Sequence, residues 1–261
     1  MNTYEEHYNR CVKEYNSSED SELFKIGILK NCLPVDRQVL STVSQSVKKS
    51  LAKQHEISES KWGTFINDFS AIDGLELFCR SFVDQLEEKY FKSYVKIENL
   101  HILENKKDVP LESSWVWHYD DCPKQYFKFA IYLNEVTENS GPMQYISDSS
   151  GEAPVVESYR DNPNSIKGYP PPVFSKSRVP KKIIDSILNN GGKIETITGP
   201  AGTNFFFTPN IIHRGTSPKN NFESRLAMFL FVRPSLRKIE NLCLSANPPK
   251  ADVNVKKYML D

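Results

Sequence analysis

Hydrophobic side chains follow two different periodicities along this chain. In the first third they recur at helical spacing, which predicts a helix opened by Pro34 and running to Leu51, and a second from about Leu75 to Tyr90. A short apolar run, Phe24–Leu29, predicts a strand ahead of them. Residues 1–20 are charged and lack a clear period, so they are either a surface helix or a loose arm.

From about Tyr94 onward, short β-rich segments alternate with turn residues. The segments are Tyr94–Leu103, Ser113–Tyr119, Tyr126–Leu133, Met143–Ser147, Lys193–Thr198, Thr203–Phe207, Ile211–His213 and Arg225–Val232. Asn139–Pro142, Gly199–Gly202 and Ser217–Asn221 carry the turn chemistry between them. This pattern predicts a mainly β protein with flanking helices and a jelly-roll core, the double-stranded β-helix.

Residues 148–192 interrupt the series of strands. They are rich in Pro, Ser, Asn and Lys, with a short helical pattern at Lys181–Leu188. A connection of this length inside a β domain is typical of a lid or binding loop. We expect one domain over residues 1–261, in which residues 1–93 pack on a barrel formed by residues 94–233 and residues 234–261 extend beyond it.

Composition narrows the classes of partner. The chain has 33 basic and 33 acidic residues, so no overall charge favours nucleic acid or an anionic membrane. No apolar run approaches the roughly 18 residues that span a bilayer, and the N-terminus lacks the apolar core of a signal peptide. The five cysteines form no C-x-x-C pair. We therefore expect a cytoplasmic protein with reduced thiols.

Three residues with metal-binding chemistry occur near predicted strand ends. His118 and Asp120 are two positions apart, and on a strand such residues point to the same face. His213, after two β-branched residues, can supply a third ligand from a neighbouring strand. Two imidazoles and one carboxylate that leave open positions on the ion form the ligand set of non-haem iron(II) oxygenases.

Each of these residues also has a purely structural interpretation. A buried histidine that hydrogen-bonds a nearby aspartate is common, and His213 alone is more often a core or surface histidine. Arg225 opens the last apolar strand, where a buried guanidinium needs an anionic partner such as a dicarboxylate. Exposure at the strand end, or pairing with Glu223, is the alternative for Arg225.

Together these motifs resemble the phytanoyl-CoA dioxygenase family of iron(II)/2-oxoglutarate oxygenases. The resemblance covers about residues 94–233 and is carried by four motifs in order. They are Trp117-His118-Tyr119-Asp120, the run from Ile131 to Ile146, Gly199–Thr203, and Phe206-Phe207 leading to His213-Arg214-Gly215 with Arg225 beyond. One departure is Ser147–Ser150, where the family usually has a Pro-Gly-Ser-His-like turn.

The resemblance implies the cofactors and the role of each residue. His118, Asp120 and His213 would hold Fe(II), with 2-oxoglutarate and O2 as co-substrates. Arg225 would bind the far carboxylate of 2-oxoglutarate. Lys128 stands where the family often has a small polar residue; it either points inward and assists a carboxylate of 2-oxoglutarate or lies on the outer face. Trp117 and Tyr119 would face away from the metal and pack.

The implied reaction is hydroxylation of a small-molecule C–H bond, with decarboxylation of 2-oxoglutarate to succinate. Related halogenases replace the carboxylate with a small residue, so Asp120 disfavours halogenation. Desaturation or cyclisation with the same cofactors, a non-catalytic jelly-roll binding protein and a zinc hydrolase remain alternatives. The candidate lid carries Tyr159, Arg160, Lys167, Tyr169, Lys176 and Arg178, which either receive an anionic substrate or form a solvated loop. The oligomeric state is not readable.

Overall fold

Two antiparallel sheets face each other in the computed structural model, which describes residues 3–15, 23–53, 57–60, 63–107, 113–156, 177–220, 223–240 and 242. The strands are β1 Ile28–Lys30, β2 Ile57–Glu59, β3 Gly63–Ile66, β4 Tyr94–Asn105, β5 Phe127–Tyr132, β6 Met143–Ser147, β7 Lys193–Ile197, β8 Asn204–Phe207, β9 His213–Gly215 and β10 Leu226–Ser235. The larger sheet has the order β1-β8-β5-β10-β4-β3-β2, and the smaller has the order β7-β6-β9. This is the expected double-stranded β-helix.

Both faces of the larger sheet are buried, which explains its nearly continuous hydrophobic runs. Along β10, Leu226, Met228, Leu230 and Val232 point to a core shared with the helices, whereas Ala227 points into the space between the sheets. Neighbouring strands repeat this alternation, because successive side chains on a strand point to opposite faces. The hydroxyl of Tyr132 joins the sheets by donating to the carbonyl of Ile197 at 2.9 Å.

Helices α1 Thr3–Tyr15, α2 Arg37–Leu51 and α3 Leu75–Leu86 pack on the outer face of the larger sheet. Helix α4 Lys181–Asn189 instead packs on the smaller sheet, where its isoleucines lie in a cluster with Ile146 of β6. The carboxylate of Asp36 begins α2 by accepting from the amides of Gln38 and Val39 at 2.8 and 3.0 Å. No helix in the described part of the chain has the length and apolarity to cross a bilayer.

Several predicted elements need correction. Ser113–Tyr119 is not a strand, since Ser113–Trp115 form a 3-10 turn. Phe24–Leu29 divides into a 3-10 turn, Leu23–Lys25, and the strand β1. The predicted Ile211–His213 strand begins only at His213, and Arg225 precedes its strand by one residue. The second predicted helix ends at Leu86 and continues as a π-helical turn, Glu87–Phe91. The strands β2 and β3, at one end of the larger sheet, were not predicted.

The core between helices and sheet yields a stability prediction. Phe206 has no exposed surface and stacks on Phe127 with ring centroids 4.8 Å apart. We expect Phe206→Ala to lower the free energy of unfolding by about 3–5 kcal/mol, because it removes apolar contacts and leaves a cavity. Leu77 is 65% exposed, so Leu77→Ala should change it by less than about 0.5 kcal/mol. Chemical denaturation measures both, and equal losses would contradict this packing.

Candidate functional site

Backbone pairing brings the predicted metal ligands together. The amide of His118 donates to the carbonyl of His213 at 3.0 Å, and the amide of His213 donates back at 2.8 Å. The amide of Asp120 donates to the carbonyl of Pro209 at 2.9 Å. His118 and Asp120 therefore lie on an irregular segment and not on the strand that we predicted. This segment pairs with β9 and with the residues that precede β9.

The three side chains converge on one point. Nε2 of His118 lies 3.6 Å from Oδ1 of Asp120, and Nε2 of His213 lies 3.5 Å from Oδ2. One ligand atom from each residue lies within 4.8 Å of the other two. Both histidines are buried, whereas the Asp120 side chain is 26% exposed. The side chains thus converge as the sequence predicted; that they are metal ligands stays a prediction.

The second ring nitrogen of each histidine determines which tautomer is present. Nδ1 of His118 lies 2.9 Å from the carbonyl of Val116, and Nδ1 of His213 lies 2.9 Å from the carbonyl of Ile211. A carbonyl only accepts, so Nδ1 carries the proton and the lone pair of Nε2 faces the other ligands. Anchoring of this kind orients histidines that bind metals.

The electrostatic environment favours the protonation states that a metal requires. Burial, with the neighbouring His118, lowers the pKa of His213 to about 3. Burial also lowers the pKa of His118. For Asp120, burial raises the pKa, but the charge and hydrogen bond of Lys128 more than offset this and hold it below the usual range, aided at acid pH by the protonated imidazoles. At neutral pH the site contains two neutral imidazoles and one carboxylate.

Lys128 points into the barrel, as one of its two predicted orientations required. Its side chain is 13% exposed, and its ammonium lies 2.6 Å from Oδ2 of Asp120. The same ammonium lies 4.8 Å from the ring centroid of Phe231 and 6.0 Å from that of Phe207. A contact between Lys128 and 2-oxoglutarate stays a prediction.

Arg225 is buried inside the barrel, which excludes the exposed alternative. It is 5% exposed, and the hydroxyl of Tyr132 lies close enough to interact with the guanidinium. Nε of Arg225 is buried and finds no hydrogen-bond acceptor among the described residues. A donor buried without an acceptor is costly unless a ligand or a water completes it. The guanidinium is thus suited to an anionic ligand.

Asn105 fixes the position of Arg225. Its Oδ1 accepts from the amide of Arg225 at 2.7 Å, and its Nδ2 donates to the carbonyls of Gly141 and Thr216 at 3.1 and 3.3 Å. Gly141 has φ +75°, and a Cβ there would lie 2.3 Å from Nδ2 of Asn105. The glycine of the predicted 139–142 turn is therefore required for this contact.

The aromatic neighbours of the ligands pack, as predicted. Tyr119 lies in a buried cluster with Ile146, Ile184 and Ile212, and Trp117 packs against that cluster. The guanidinium of Arg214 covers the Trp117 ring at 4.2 Å from its centroid.

The end of the predicted lid runs beside the site. The amide of Tyr119 donates to the carbonyl of Ser177 at 3.1 Å, and Arg178 forms a β-bridge with His118. Val179 donates its amide to the carbonyl of Trp117 at 2.8 Å. The other candidate lid residues, Tyr159, Arg160, Lys167, Tyr169 and Lys176, lie outside the described residues.

Two polar residues facing the space between the sheets were not predicted. Asn99 and His101 lie on β4, opposite Phe231 and Phe229 of β10. Oδ1 of Asn99 and Nε2 of His101 are buried without a hydrogen-bond partner in the described part of the chain. A usable signal was present: Leu100 and Ile102 fill the outer core, so Asn99 and His101, which alternate with them, must face inward.

Comparison with solved structures agrees with this architecture. The carbocyclase SnoK of nogalamycin biosynthesis, described as non-haem and α-ketoglutarate dependent, matches with a TM-score of 0.53 at 11% identity, over 83% of this chain and 85% of that one. The epimerase SnoN, solved with Fe3+, α-ketoglutarate and nogalamycin RO, matches with a TM-score of 0.53 at 14% identity, over 94% and 96%. EctD from S. alaskensis, solved with 2-oxoglutarate and 5-hydroxyectoine, matches with a TM-score of 0.50 at 13% identity, over 90% and 83%. The chain has the fold of 2-oxoglutarate oxygenases.

Sequence comparison finds a relative that matches a smaller part of the chain than the solved structures do. L-proline trans-4-hydroxylase from Streptomyces griseoviridis is 27% identical over 139 residues, which are 49% of this chain and 50% of the hydroxylase. The chain thus matches only about half the length of this curated relative. No protein-family profile matches the chain.

His101 provides a test of the barrel interior. Burial, together with the charge of Lys128, lowers its pKa from 6.5 to about 4. The unfolded chain therefore binds a proton at a higher pH than the folded protein, so stability falls as pH drops from about 6.5 to 4. His101→Phe removes this contribution, which should reach roughly 3 kcal/mol at the acid end. Denaturation at several pH values measures it, and parallel profiles would contradict a buried neutral His101.

Proposed function

We propose that this protein is an iron(II)/2-oxoglutarate-dependent dioxygenase that hydroxylates a C–H bond of a small molecule. One observation carries the proposal: Nε2 of His118, Nε2 of His213 and a carboxylate oxygen of Asp120 converge within 4.8 Å inside the barrel. The reaction belongs to a class found on this fold, as the similarity to L-proline trans-4-hydroxylase and to SnoK supports. The finer assignment to the phytanoyl-CoA dioxygenase type rests on the four sequence motifs.

The residues fit a divalent iron ion. Two neutral imidazoles and one carboxylate are the facial ligand set of non-haem iron oxygenases, and they leave positions on the metal for other ligands. Because both Nδ1 atoms are anchored, the Nε2 lone pairs point toward Asp120 and would be available to an ion held there. Iron(II) with 2-oxoglutarate and O2 supplies the oxidising power that the side chains lack.

The remaining charged residues fit the co-substrate. Arg225 offers a buried, incompletely satisfied guanidinium, which would bind the far carboxylate of 2-oxoglutarate. Ala130 and Ala227 are small residues in the same cluster between the sheets as Tyr132. Lys128 would stabilise the carboxylate charge near the metal while it orients Asp120.

Hydroxylation is proposed over the alternatives because the relative found by sequence is a hydroxylase. A cyclase and an epimerase share the fold, so cyclisation or a related outcome with the same cofactors is the second candidate. Analysis of the organic product separates these outcomes. A binding protein without turnover would release no succinate, and a zinc hydrolase would release none that depends on oxygen.

Removal of a metal ligand should abolish iron binding. Under anaerobic conditions, iron(II) and 2-oxoglutarate should produce the visible charge-transfer band of the chelate in the unaltered protein. His118→Ala and His213→Ala should produce none, because two remaining ligands do not hold the ion. His7→Ala, which alters a histidine of α1, is the matched control and should keep the band. A variant of His213 that binds iron normally would contradict the assignment.

Arg225 should determine the affinity for 2-oxoglutarate. Arg225→Ala removes a charge-assisted hydrogen bond of about 1.5–3 kcal/mol, so the 2-oxoglutarate concentration for half-maximal succinate release should rise about 10- to 100-fold. Arg225→Lys should recover part of the loss, because it keeps the charge without the planar fork. Arg37→Ala, on the surface of α2, is the control. An unchanged 2-oxoglutarate requirement in Arg225→Ala would show that this residue has another role.

A further inference from the structure

The inward face of β4 has an unexplained polar surface beside the site. Asn99 and His101 are the paired neighbours of Phe231 and Phe229 on β10. The His101 ring contacts the rings of Phe231 and Phe65, with centroids 4.8 and 5.8 Å apart. The surface thus combines aromatic walls with an amide and an imidazole.

Packing alone does not account for these two residues. Oδ1 of Asn99 and Nε2 of His101 are buried, yet neither has a hydrogen-bond partner among the described residues. A buried polar group that gave up water without gaining a partner destabilises the fold, whereas an apolar residue there would not. Such groups are expected where a ligand completes the hydrogen bonds.

The charge beside this surface is positive. The Lys128 ammonium lies over the same Phe231 ring that His101 contacts. An ammonium has three donors and Asp120 accepts from one, which leaves Lys128 donors for a further anion. A divalent cation with Lys128 and Arg225 outweighs the negative charge of Asp120 and a 2-oxoglutarate dianion. The interior therefore favours an additional anion over a cation.

We propose that Asn99, His101 and Lys128, around the ring of Phe231, form a subsite that binds a carboxylate of the molecule to be oxidised. The primary substrate is then a small organic acid, whose carbon skeleton lies against Phe65 and Phe229. This inference rests on the proposed function, since it assigns the substrate of that same site. Asn99 takes part through its amide group, whose oxygen and nitrogen exchange places by rotation.

His101 suits this role because it stays uncharged. Its pKa of about 4 keeps the imidazole neutral near pH 7, so its ring nitrogen donates one hydrogen bond without adding a second buried charge beside Lys128. The groups that face it are Phe65, Phe229 and Phe231 together with the Lys128 ammonium.

The test uses the full-length protein, loaded anaerobically with iron(II) and saturating 2-oxoglutarate. The probes are three acids, benzoate, phenylacetate and L-proline, each compared with its primary amide. Binding is measured from the rise in Tm and from the perturbation of the charge-transfer band, neither of which requires turnover. We expect at least one acid to bind about tenfold or more tightly than its amide, because only the acid pairs a negative charge with the Lys128 ammonium.

Two variants locate the effect. Asn99→Leu and His101→Phe should each reduce binding of that acid about tenfold or more, while the band with iron(II) and 2-oxoglutarate forms as in the unaltered protein. That band also shows that the variants fold. Lys96→Ala, on the same strand but with a partly exposed side chain, is the control and should bind the acid normally.

Each outcome has one meaning. If the unaltered protein gives no band with iron(II) and 2-oxoglutarate, the proposed function fails and this inference fails with it. If the band forms but no acid exceeds its amide, the proposed function stands and the carboxylate subsite is overturned. If an acid binds and neither variant weakens it, the acid binds elsewhere and the subsite is likewise overturned.

Discussion

The reciprocal backbone hydrogen bonds between His118 and His213 are the contact on which the site depends. The two histidines are distant in sequence, and ordering so long a connection carries an entropic cost. Burial on both sides offsets it: Tyr119 and Ile212 belong to one apolar cluster, and Ile211 belongs to the cluster between the sheets. Once the backbones pair, the carbonyls of Val116 and Ile211 orient both rings. The convergence of the three predicted metal ligands is thus a consequence of β pairing.

The sequence was sufficient for the elements whose hydrophobic pattern has one interpretation. The larger sheet has a core on each face, so its central strands are almost uninterrupted apolar runs, as Phe127–Tyr132 and Leu226–Ser235 illustrate. The prediction of a strand at residues 113–119 was wrong for a physical reason. Its aromatic residues have high β propensity, yet here they fill separate hollows: Trp115 lies against Gly215, and Tyr119 lies among isoleucines. The strands β2 and β3, at one end of the larger sheet, are too short for a detectable period.

The site was predictable in its chemistry but not in its surroundings. Residue type and order were enough to select His118, Asp120 and His213 as three side chains that converge, while their role as iron ligands stays a prediction. Sequence did not distinguish a buried Arg225 from one paired with Glu223, since burial depends on Asn105 and on the turn at Gly141. Asn99 and His101 were missed for a different reason. Alternating polar residues on a strand usually indicate a solvated face, whereas here the second face is covered by another sheet.

The buried polar groups relate the stability of this fold to its proposed reaction. Neutral histidines and donors without acceptors cost free energy in the unliganded protein, and the phenylalanine-rich core between the larger sheet and the helices offsets that cost. Ligands that complete these hydrogen bonds bind the folded state alone, so each must stabilise the fold as it binds. In the proposed reaction, different ligands would satisfy these groups: the metal would bind beside Asp120, the dicarboxylate would pair with Arg225, and the substrate would contact His101. These residues all face one interior, so the order in which the ligands bind would follow from their charges. The metal cation would bind first and create an excess of positive charge, which would then attract the anionic ligands.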